Sequence, residues 1–260
     1  MRIIVCVKQV IDTAAKINIK DGKIDAAGSP RVMNPYDEFA VEEALRIREK
    51  QPGTEITLLS LGPESFKEVL KTGLAMGADK AIHLHDPAFE NLDNLAVARA
   101  LANAIQTLSY DLILCGRQAV DDDMAQVGPA IAVLLDIPVV SVVTRITFSE
   151  DFRQAEITRQ IEGGSEILGS SLPLLVTCQK GLNEPRLPSL KGIMAAKKKE
   201  IQILDAASIG FDPQSMGQGR VRQIGLSLPP ARKQGRILEG PIAESLPELV
   251  RLLREEEKVI

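Results

Sequence analysis

The chain has 260 residues, of which 45% are hydrophobic and 25% are charged, so it can bury one sizeable core with or without an appendage. A formal net charge of −4 and an aromatic content of 3% provide neither the positive field nor the stacking surfaces that bind nucleic acid, which excludes that class of partner. No apolar run approaches the ~20 residues needed to cross a bilayer, and the first eight residues resemble neither a signal peptide nor a transit peptide. We therefore expect a cytoplasmic protein that is not embedded in a membrane.

The first 143 residues alternate between short apolar runs typical of strands and longer runs typical of helices. Strands are predicted at residues 3–7, 55–61, 81–84, 111–115 and 138–143, and helices at 36–50, from the Gly62-Pro63 turn to about 76, at 94–108 and at 125–135. Asn34-Pro35 is expected to open the first helix and Gly77 to end the second. A short hairpin is predicted around Asp21-Gly22. The alternation predicts a Rossmann-like α/β domain with a mostly parallel sheet covered on both faces.

After Val143 the predicted strands follow one another without helices, at residues 145–148, 154–160, 166–168 and 172–179. We interpret them as an antiparallel extension that completes a domain over residues 1–180. Beyond Gly181 the chain is rich in Pro and Lys, is loop-like through residues 217–219 and ends in an amphipathic helix at about 242–257. Such a tail is better explained by wrapping a partner than by a core of its own, so residues 181–260 are predicted to form a C-terminal arm.

The cysteines and histidines show no pattern of a catalytic or metal site. Cys6, Cys115 and Cys178 are far apart, and each lies in an apolar run, which predicts buried, unpaired residues in a reducing compartment, with a disulfide or reactive thiol as the alternative. His83 and His85 leave a strand with no Ser or Cys motif nearby, so they are predicted to be surface residues and a hydrolase is not supported.

In a doubly wound sheet, ligands bind beyond the carboxyl ends of the strands. The candidate segments at strand ends are Val7-Lys8-Gln9, Asn34-Pro35-Tyr36-Asp37, Leu61-Gly62-Pro63 and, as the sharpest, the polar loop Gly116 to Val127. This loop leads into a helix whose free N–H groups can hold a phosphate. Two other nucleotide signatures, G-x-G-x-x-G after a strand and G-x-x-x-x-G-K-[ST], are absent.

Three consecutive carboxylates are unexpected beside an anion site. Asp123 is expected to cap the helix, and Asp121 and Asp122 to orient the loop or receive ribose hydroxyl groups. A solvated acidic turn with no ligand is the alternative.

Several motifs resemble the beta subunits of electron transfer flavoproteins. The loop Gly116-Arg117-Gln118-Ala119-Val120-Asp121-Asp122-Asp123 resembles their adenine-nucleotide loop, and residues 157–167 with 172–177 match their signature in residue type and spacing. Further matches are Asn34-Pro35, residues 73–79, and Asn183-Glu184-Pro185-Arg186 continuing through residues 193–199. The likeness covers nearly the whole chain, which is therefore identified as a member of this family.

The resemblance implies a heterodimer whose alpha subunit holds the redox-active FAD, while this chain supplies a Rossmann-like domain, of the adenine nucleotide alpha hydrolase-like type, that carries AMP. Such a heterodimer accepts electrons from acyl-CoA or other dehydrogenases and passes them to a quinone oxidoreductase or similar acceptor, and the chain itself needs no catalytic residue. Tyr36 falls where the family brings an aromatic side chain near the flavin. The family's nucleotide contacts fall on Cys6, Asn34, Pro35, Tyr36, Asp37, Leu61, Gly116, Arg117, Gln118, Ala119, Val120, Asp121, Asp122, Asp123, Met124, Ala125, Gln126 and Val127.

The same resemblance places a recognition loop for partner dehydrogenases between Arg186 and Lys199, with Leu190 as its apolar anchor. Its implied contact residues are Arg186, Leu190, Ile193, Met194, Lys197, Lys198 and Lys199. The three lysines are either a solvated helix face or a source of electrostatic steering. Arg159 and Glu162, within the signature, are expected to form a structural ion pair.

Two alternatives to this function stay open. Electron-bifurcating members of the family carry a second FAD, reduced by NADH, in place of AMP, and residues 125–129 look like theirs. Asp121 to Met124 and Asn34 to Asp37 look like the AMP-carrying members, and a bulky Met124 is expected to crowd a longer diphosphate. A free-standing nucleotide-binding protein of the stress-response type explains neither the signature nor the tail.

Overall fold

The computed structural model describes residues 1–20, 22–26, 28–221, 223–230 and 235–260. Within these residues the strands are β1 Arg2–Cys6, β2 Gln9–Ile11, β3 Asn18–Lys20, β4 Lys23–Asp25, β5 Arg31–Met33, β6 Glu55–Leu61, β7 Lys80–Leu84, β8 Leu112–Gly116, β9 Val139–Phe148, β10 Gln154–Ile161, β11 Gly164–Ser171, β12 Leu174–Cys178 and β13 Ile201–Leu204. The helices are α1 Pro35–Lys50, α2 Lys67–Met76, α3 Asn94–Gln106, α4 Val127–Leu135, α5 Leu190–Ala196 and α6 Ile242–Arg251, the last continued by a π-helical turn Leu252–Glu256.

The main sheet has nine strands among the described residues, in the order β11-β10-β9-β12-β8-β1-β6-β7-β13. The strands from β9 through β12, β8, β1, β6 and β7 to β13 pair in parallel. Their central members are continuous apolar runs buried on both faces, as a parallel sheet requires. The predicted α/β class and its mostly parallel sheet are confirmed.

Helices cover both faces of this sheet and divide its core in two. Apolar residues of α1 and α2 pack with one set of strand residues, such as Val5 and Leu58, and those of α3 and α4 pack with the alternate set, such as Ile4 and Leu59. Gly77 ends α2 as predicted, with φ +136° and its N–H bonded to the Gly73 carbonyl oxygen at 3.2 Å.

The antiparallel extension is only partly as predicted. β10 pairs antiparallel with both β9 and β11, but β12 lies inside the sheet, between β8 and β9 and parallel to both. Its sequence is apolar except for Thr177 and is fully buried, which is typical of an interior parallel strand rather than an edge. The two strands predicted at 138–143 and 145–148 are one strand with an irregularity at Val142, which has φ +62° and donates its N–H to Thr177 Oγ1 at 3.0 Å.

Smaller predictions near these strands had mixed outcomes. The hairpin of β3 and β4 is present, although Asp21 of its turn lies outside the described residues. Arg159 pairs with Glu166, its opposite residue on β11, at 3.7 Å, so the expected partner Glu162 was wrong while the structural role of Arg159 holds.

The segment after β12 returns to the sheet domain, where the sequence predicted loops. Helix α5 packs on α2, and β13 adds to the sheet beside β7. An added Cβ at Gly192 of α5 would lie 2.1 Å from the Ala75 carbonyl oxygen, so this glycine permits the close approach of the two helices.

The terminal helix near residues 242–257 is confirmed, and its apolar side chains Ile242, Leu246 and Leu249 are exposed.

The prediction that both histidines lie on the surface is wrong for His83, which is completely buried. Its ring stacks on that of His85 with centroids 5.2 Å apart, and His83 Nε2 and His85 Nδ1 lie 3.0 and 3.1 Å from the Gly62 carbonyl oxygen. Because a carbonyl oxygen only accepts, both nitrogens carry a proton. Burial lowers the pKa of His83, so its ring is neutral, and the pair holds the turn after β6.

An ion pair between the partly exposed Arg186 and the buried Glu42 anchors the returning segment to α1. Arg186 donates from Nε to Glu42 Oε2 at 2.7 Å, from a terminal nitrogen to Glu42 Oε1 at 2.9 Å, and from the other to Glu49 Oε1 at 2.8 Å. The Glu42 side chain is 5% exposed, so Arg186 is its compensating cation. Asn183 adds bonds of 3.0 Å to the Phe39 carbonyl oxygen and 2.9 Å to Glu43 Oε2. The Arg186 guanidinium, implied by resemblance to contact partners, is held by carboxylates of its own chain.

We expect Arg186→Leu to lower the free energy of unfolding by about 2–3 kcal/mol, because Glu42 would remain buried without its cation. Adding Glu42→Leu should recover most of this loss. Arg251→Leu, which removes a cation from exposed ion pairs on α6, is the matched control and should change stability little. Urea unfolding of the four proteins measures the effect, and equal losses for the Arg186 and Arg251 variants would contradict the anchoring role.

Candidate functional site

A cleft with a cavity volume of about 180 Å³ lies at the carboxyl ends of β1 and β8. After β1 the chain forms α1 and then adds β6 and β7 on one side of β1. After β7 it passes through α3 and returns to form β8 on the other side of β1. Strand order therefore reverses between β1 and β8, which is where doubly wound sheets bind ligands.

Asp37 is the central polar group of this cleft. Its buried carboxylate accepts from the Lys8 N–H at 2.7 Å, from Asn34 Nδ2 at 2.9 Å and from the Gly116 N–H at 3.1 Å. It therefore joins the first turn of α1 to the ends of β1 and β8. A side chain at position 116 is not tolerated here, because an added Cβ would lie 2.2 Å from Asp37 Oδ1 and 2.8 Å from Tyr36 Cβ.

Asn34 extends this network into the polar loop. It stands at the N-cap position of α1, but its side chain makes no capping bond. Instead Nδ2 also donates to the Gln118 carbonyl oxygen at 2.8 Å, and Oδ1 accepts from the Val120 N–H at 3.2 Å. The position of Asn34 was predicted correctly, whereas its side chain shapes the loop rather than the helix end.

The side chains of the three loop aspartates meet two partners, Lys8 and Gln118. Asp121 Oδ1 lies 2.7 Å from Lys8 Nζ, and Asp122 Oδ2 lies 3.6 Å from the same nitrogen. Asp123 Oδ1 accepts from Gln118 Nε2 at 2.6 Å. The expected capping role of Asp123 was wrong, because α4 begins only at Val127 and Gln126 occupies its N-cap without a side-chain bond.

The loop ends in strained backbone and a close helix approach. Asp123 and Ala125 have φ of +51° and +52°, a left-handed conformation that residues other than glycine adopt rarely. An added Cβ at Gly128 would lie 2.9 Å from Thr177 Cγ2, so this glycine lets α4 start close to β12. Val127 and Gly128, in the first turn of α4, line the cleft, and the first N–H groups of a helix are free to bind an anion.

The structure brings together twelve of the eighteen residues predicted to contact nucleotide. Those that line the cleft are Cys6, Asn34, Asp37, Leu61, Gly116, Arg117, Gln118, Ala119, Asp122, Ala125, Gln126 and Val127. The other six, which lie beside the lining, are Pro35, Tyr36, Val120, Asp121, Asp123 and Met124. Met124 is half exposed outside the cleft, so the expectation that it crowds a diphosphate is not supported by its placement.

Val7 and Lys8, from the candidate segment after β1, also line the cleft. The sequence did not identify seven further lining residues: Leu59, Phe66, Asn94, Val97, Leu101, Cys115 and Gly128. The apolar wall of Leu59, Phe66, Val97 and Leu101 is assembled from β6, the turn before α2, and α3. The three cysteines are buried and unpaired, as predicted, and two of them, Cys6 and Cys115, lie on adjacent strands in this cleft.

A second candidate surface lies on α5. Leu190 and Met194 are 84% and 61% exposed, and Ile193, Lys197 and Lys198 are also exposed. Ser189 caps the helix by accepting from the Gly192 N–H at 3.0 Å. Lys199 Nζ instead donates to the Ala78 carbonyl oxygen at the end of α2, which fixes the end of the segment. Helix α5 therefore exposes apolar side chains to solvent on one side while its other side packs on α2.

Among the described residues, no helix is long and apolar enough to span a membrane, and no cluster of three or more metal-ligating side chains is found.

Desolvation raises the pKa of Asp37 to about 7, against the opposing effect of its three hydrogen bonds. The folded protein thus binds this proton more tightly than the unfolded chain, whose reference pKa is 3.8. We expect the contribution of Asp37 to stability to fall as the pH rises from about 4 to about 7, by a few kcal/mol at ~1.4 kcal/mol per pKa unit. Urea unfolding of the wild type and Asp37→Asn across this range measures the difference between them, and parallel pH profiles would contradict the assignment.

Comparison with known proteins agrees with this architecture. Residues 21–209 match the electron transfer flavoprotein domain. The chain is 41% identical over 261 residues to the electron transfer flavoprotein subunit beta of Bacillus subtilis, covering 100% of both chains, and 40% identical to that of Sus scrofa, covering 98% of this chain and 97% of the relative. It is also 42% identical to the caffeyl-CoA reductase-Etf complex subunit CarD of Acetobacterium woodii, covering 98% of each chain. The chain therefore belongs to the electron transfer flavoprotein family, as a beta subunit of its electron-transferring heterodimer.

Proposed function

We propose that this subunit carries AMP in the cleft between β1 and β8, while the alpha subunit holds the FAD that accepts and donates electrons. The observation that carries the proposal is the chemistry of the cleft. Leu59, Leu61, Phe66 and Val97 supply an apolar wall suited to a purine ring. The loop amides and the start of α4 supply donors suited to a phosphate.

Arg117 adds a cation at the polar end of the cleft. It lines the cleft and has no ion-pair partner among the described residues, where its only side-chain hydrogen bond is one of 3.5 Å to Gln179 Oε1. Its main chain is fixed by an N–H bond of 2.9 Å to the Cys178 carbonyl oxygen. An unpaired guanidinium on a fixed main chain fits a phosphate ligand.

The second candidate is an electron-bifurcating subunit with a second FAD in this cleft. Its support is the sequence of residues 125–129 and the 42% identity to CarD of the caffeyl-CoA reductase-Etf complex. The AMP proposal is favoured by the likeness of Asp121 to Met124 and of Asn34 to Asp37 to AMP-carrying members. A free-standing stress-type protein is disfavoured by the full-length match to beta subunits.

The C-terminal arm is proposed to pack on the alpha subunit. Beyond the sheet domain it exposes apolar side chains along its whole described length: Val221, Ile224, Leu228, Ile237, Ile242, Leu246, Leu249, Val259 and Ile260. Exposed apolar residues in this number are typical of a surface that a partner covers.

The unpaired cysteines also support a reducing compartment such as the cytoplasm.

The segment from Arg186 to Lys199 is proposed to dock acyl-CoA or other dehydrogenases, with a quinone oxidoreductase or similar protein as acceptor. Leu190, exposed on the anchored helix α5, is the proposed anchor. Burial of one such side chain contributes about 1.5–3 kcal/mol, which suits a transient complex.

The nucleotide content tests the first proposal. Nucleotides released from the purified heterodimer should contain equal amounts of FAD and AMP by chromatography. Two FAD and no AMP would establish the bifurcating alternative. FAD alone would contradict a nucleotide in this cleft while leaving the family unaffected.

Docking is tested by Leu190→Ala, which should slow reduction of the flavin by a partner dehydrogenase by about tenfold, since ~1.4 kcal/mol of binding free energy is one factor of ten. Chemical reduction by dithionite should be unchanged. Ile167→Ala removes a similarly exposed apolar side chain from the edge strand β11 and serves as the matched control. Equal slowing in both variants would rule out a specific role for Leu190.

A further inference from the structure

The polar end of the cleft presents a conflict of charge. An adenylate phosphate is a dianion near neutral pH, yet the loop that would receive it contains Asp121, Asp122 and Asp123. Asp123 is directed to Gln118 by a 2.6 Å hydrogen bond. Asp121 and Asp122 remain, and Asp122 lines the cleft itself.

Lys8 meets both of these carboxylates. Its ammonium group lies 2.7 Å from Asp121 Oδ1 and 3.6 Å from Asp122 Oδ2, and Lys8 also lines the cleft. Its main chain is fixed by the 2.7 Å bond from its N–H to the buried Asp37 carboxylate. The ion pairs therefore connect the end of β1 to the loop after β8, the two elements between which the cleft opens.

These ion pairs are too exposed to contribute much to the free energy of folding. The side chains of Lys8, Asp121 and Asp122 are each between 32% and 38% exposed, and ion pairs at such sites contribute little to folding. The ion pairs matter more for an anion bound beside them than for folding. Without Lys8, the two carboxylates would repel that anion across a partly desolvated cleft.

Resting on the proposed AMP site, we propose that Lys8 is the charge-compensating residue of this cleft: it neutralises the acidic turn so that the turn's main-chain N–H groups can bind a phosphate. The inference assigns different roles to the two cations of the cleft. Arg117, with no ion pair among the described residues, is the cation available to contact the phosphate, whereas Lys8 acts through the carboxylates it holds.

The two roles predict different responses to removal of a carboxylate. Lys8→Met should weaken AMP binding by the reassembled heterodimer roughly tenfold or more at low salt, and by less at 0.5 M salt, where screening shortens the range of charges. Asp122→Asn alone should tighten binding several-fold, and its Oδ1 can still accept from the Met124 N–H. The double variant Lys8→Met/Asp122→Asn should return to within about threefold of the wild type.

Arg117→Met provides the contrast, because loss of a direct phosphate contact should not be restored by Asp122→Asn. Lys80→Met removes an equal charge from an ion pair with Glu55 at the amino-terminal ends of β7 and β6, away from the carboxyl ends where the cleft opens, and should leave AMP affinity unchanged. Affinities are measured by calorimetry, with AMP added to heterodimer whose nucleotide has been removed, and urea unfolding reports the stability of each variant.

Each result decides the inference. Rescue of Lys8→Met by Asp122→Asn supports charge compensation, and tightening by Asp122→Asn alone supports it even where Lys8→Met fails to assemble. Unchanged affinity in Lys8→Met, or weakening that Asp122→Asn does not restore, overturns it while leaving the AMP site in place. A wild-type heterodimer that binds no AMP overturns the proposed function itself.

Discussion

The site depends on one buried carboxylate. Burial of an ionisable group in a protein interior is unfavourable unless its hydrogen bonds are satisfied, and Asp37 accepts three. Two of the donors are main-chain N–H groups at the ends of β1 and β8, so the side chain fixes the separation of the strands between which the cleft opens. The same contact requires glycine at position 116, because the helix that carries Asp37 passes too close to β8 for any Cβ.

The order of the polar loop follows from this contact. Residues 117–126 contain no helix or strand, so their conformation depends on side chains that reach them from elsewhere. Asn34 binds the loop's main chain at two points, Lys8 holds two of its carboxylates, and Gln118 binds the third. A loop fixed in this way presents N–H groups without reorganisation on binding, which is the property an anion site needs. The order of the loop and the proposed anion site thus depend on the same few residues.

The sequence predicts those parts of the structure whose residue pattern is set by neighbouring residues in the chain. Continuous apolar runs identified the central strands, and β6 was predicted with its observed bounds because its pattern is unambiguous. Strand β13 was missed because it has only four residues and stays in place by pairing with β7, a contact the sequence does not show. The capping role expected of Asp123 followed from its residue type, but the loop continues three residues further before α4 begins. The apolar wall of the cleft comes from three separate elements and had no local signal at all.

The two exposed apolar regions differ in how the chain supports them, and this difference bears on the partners they suit. Helix α5 is fixed by the glycine contact with α2, by Lys199 and by the Arg186 ion pairs, so its Leu190 surface is formed in advance and is small. A small preformed surface loses little entropy on binding and gains little area, which favours rapid, reversible contact. The arm beyond residue 211 exposes apolar side chains over some forty residues. Its start is tied to α3 by bonds from Arg99 and Asn103 to Met216 and by the N–H groups of Arg220 and Val221, which donate to Asp93. Covering so much apolar surface suits one large, lasting interface, in keeping with the proposed packing of the arm on the alpha subunit, whereas the small surface of α5 suits the proposed transient partners.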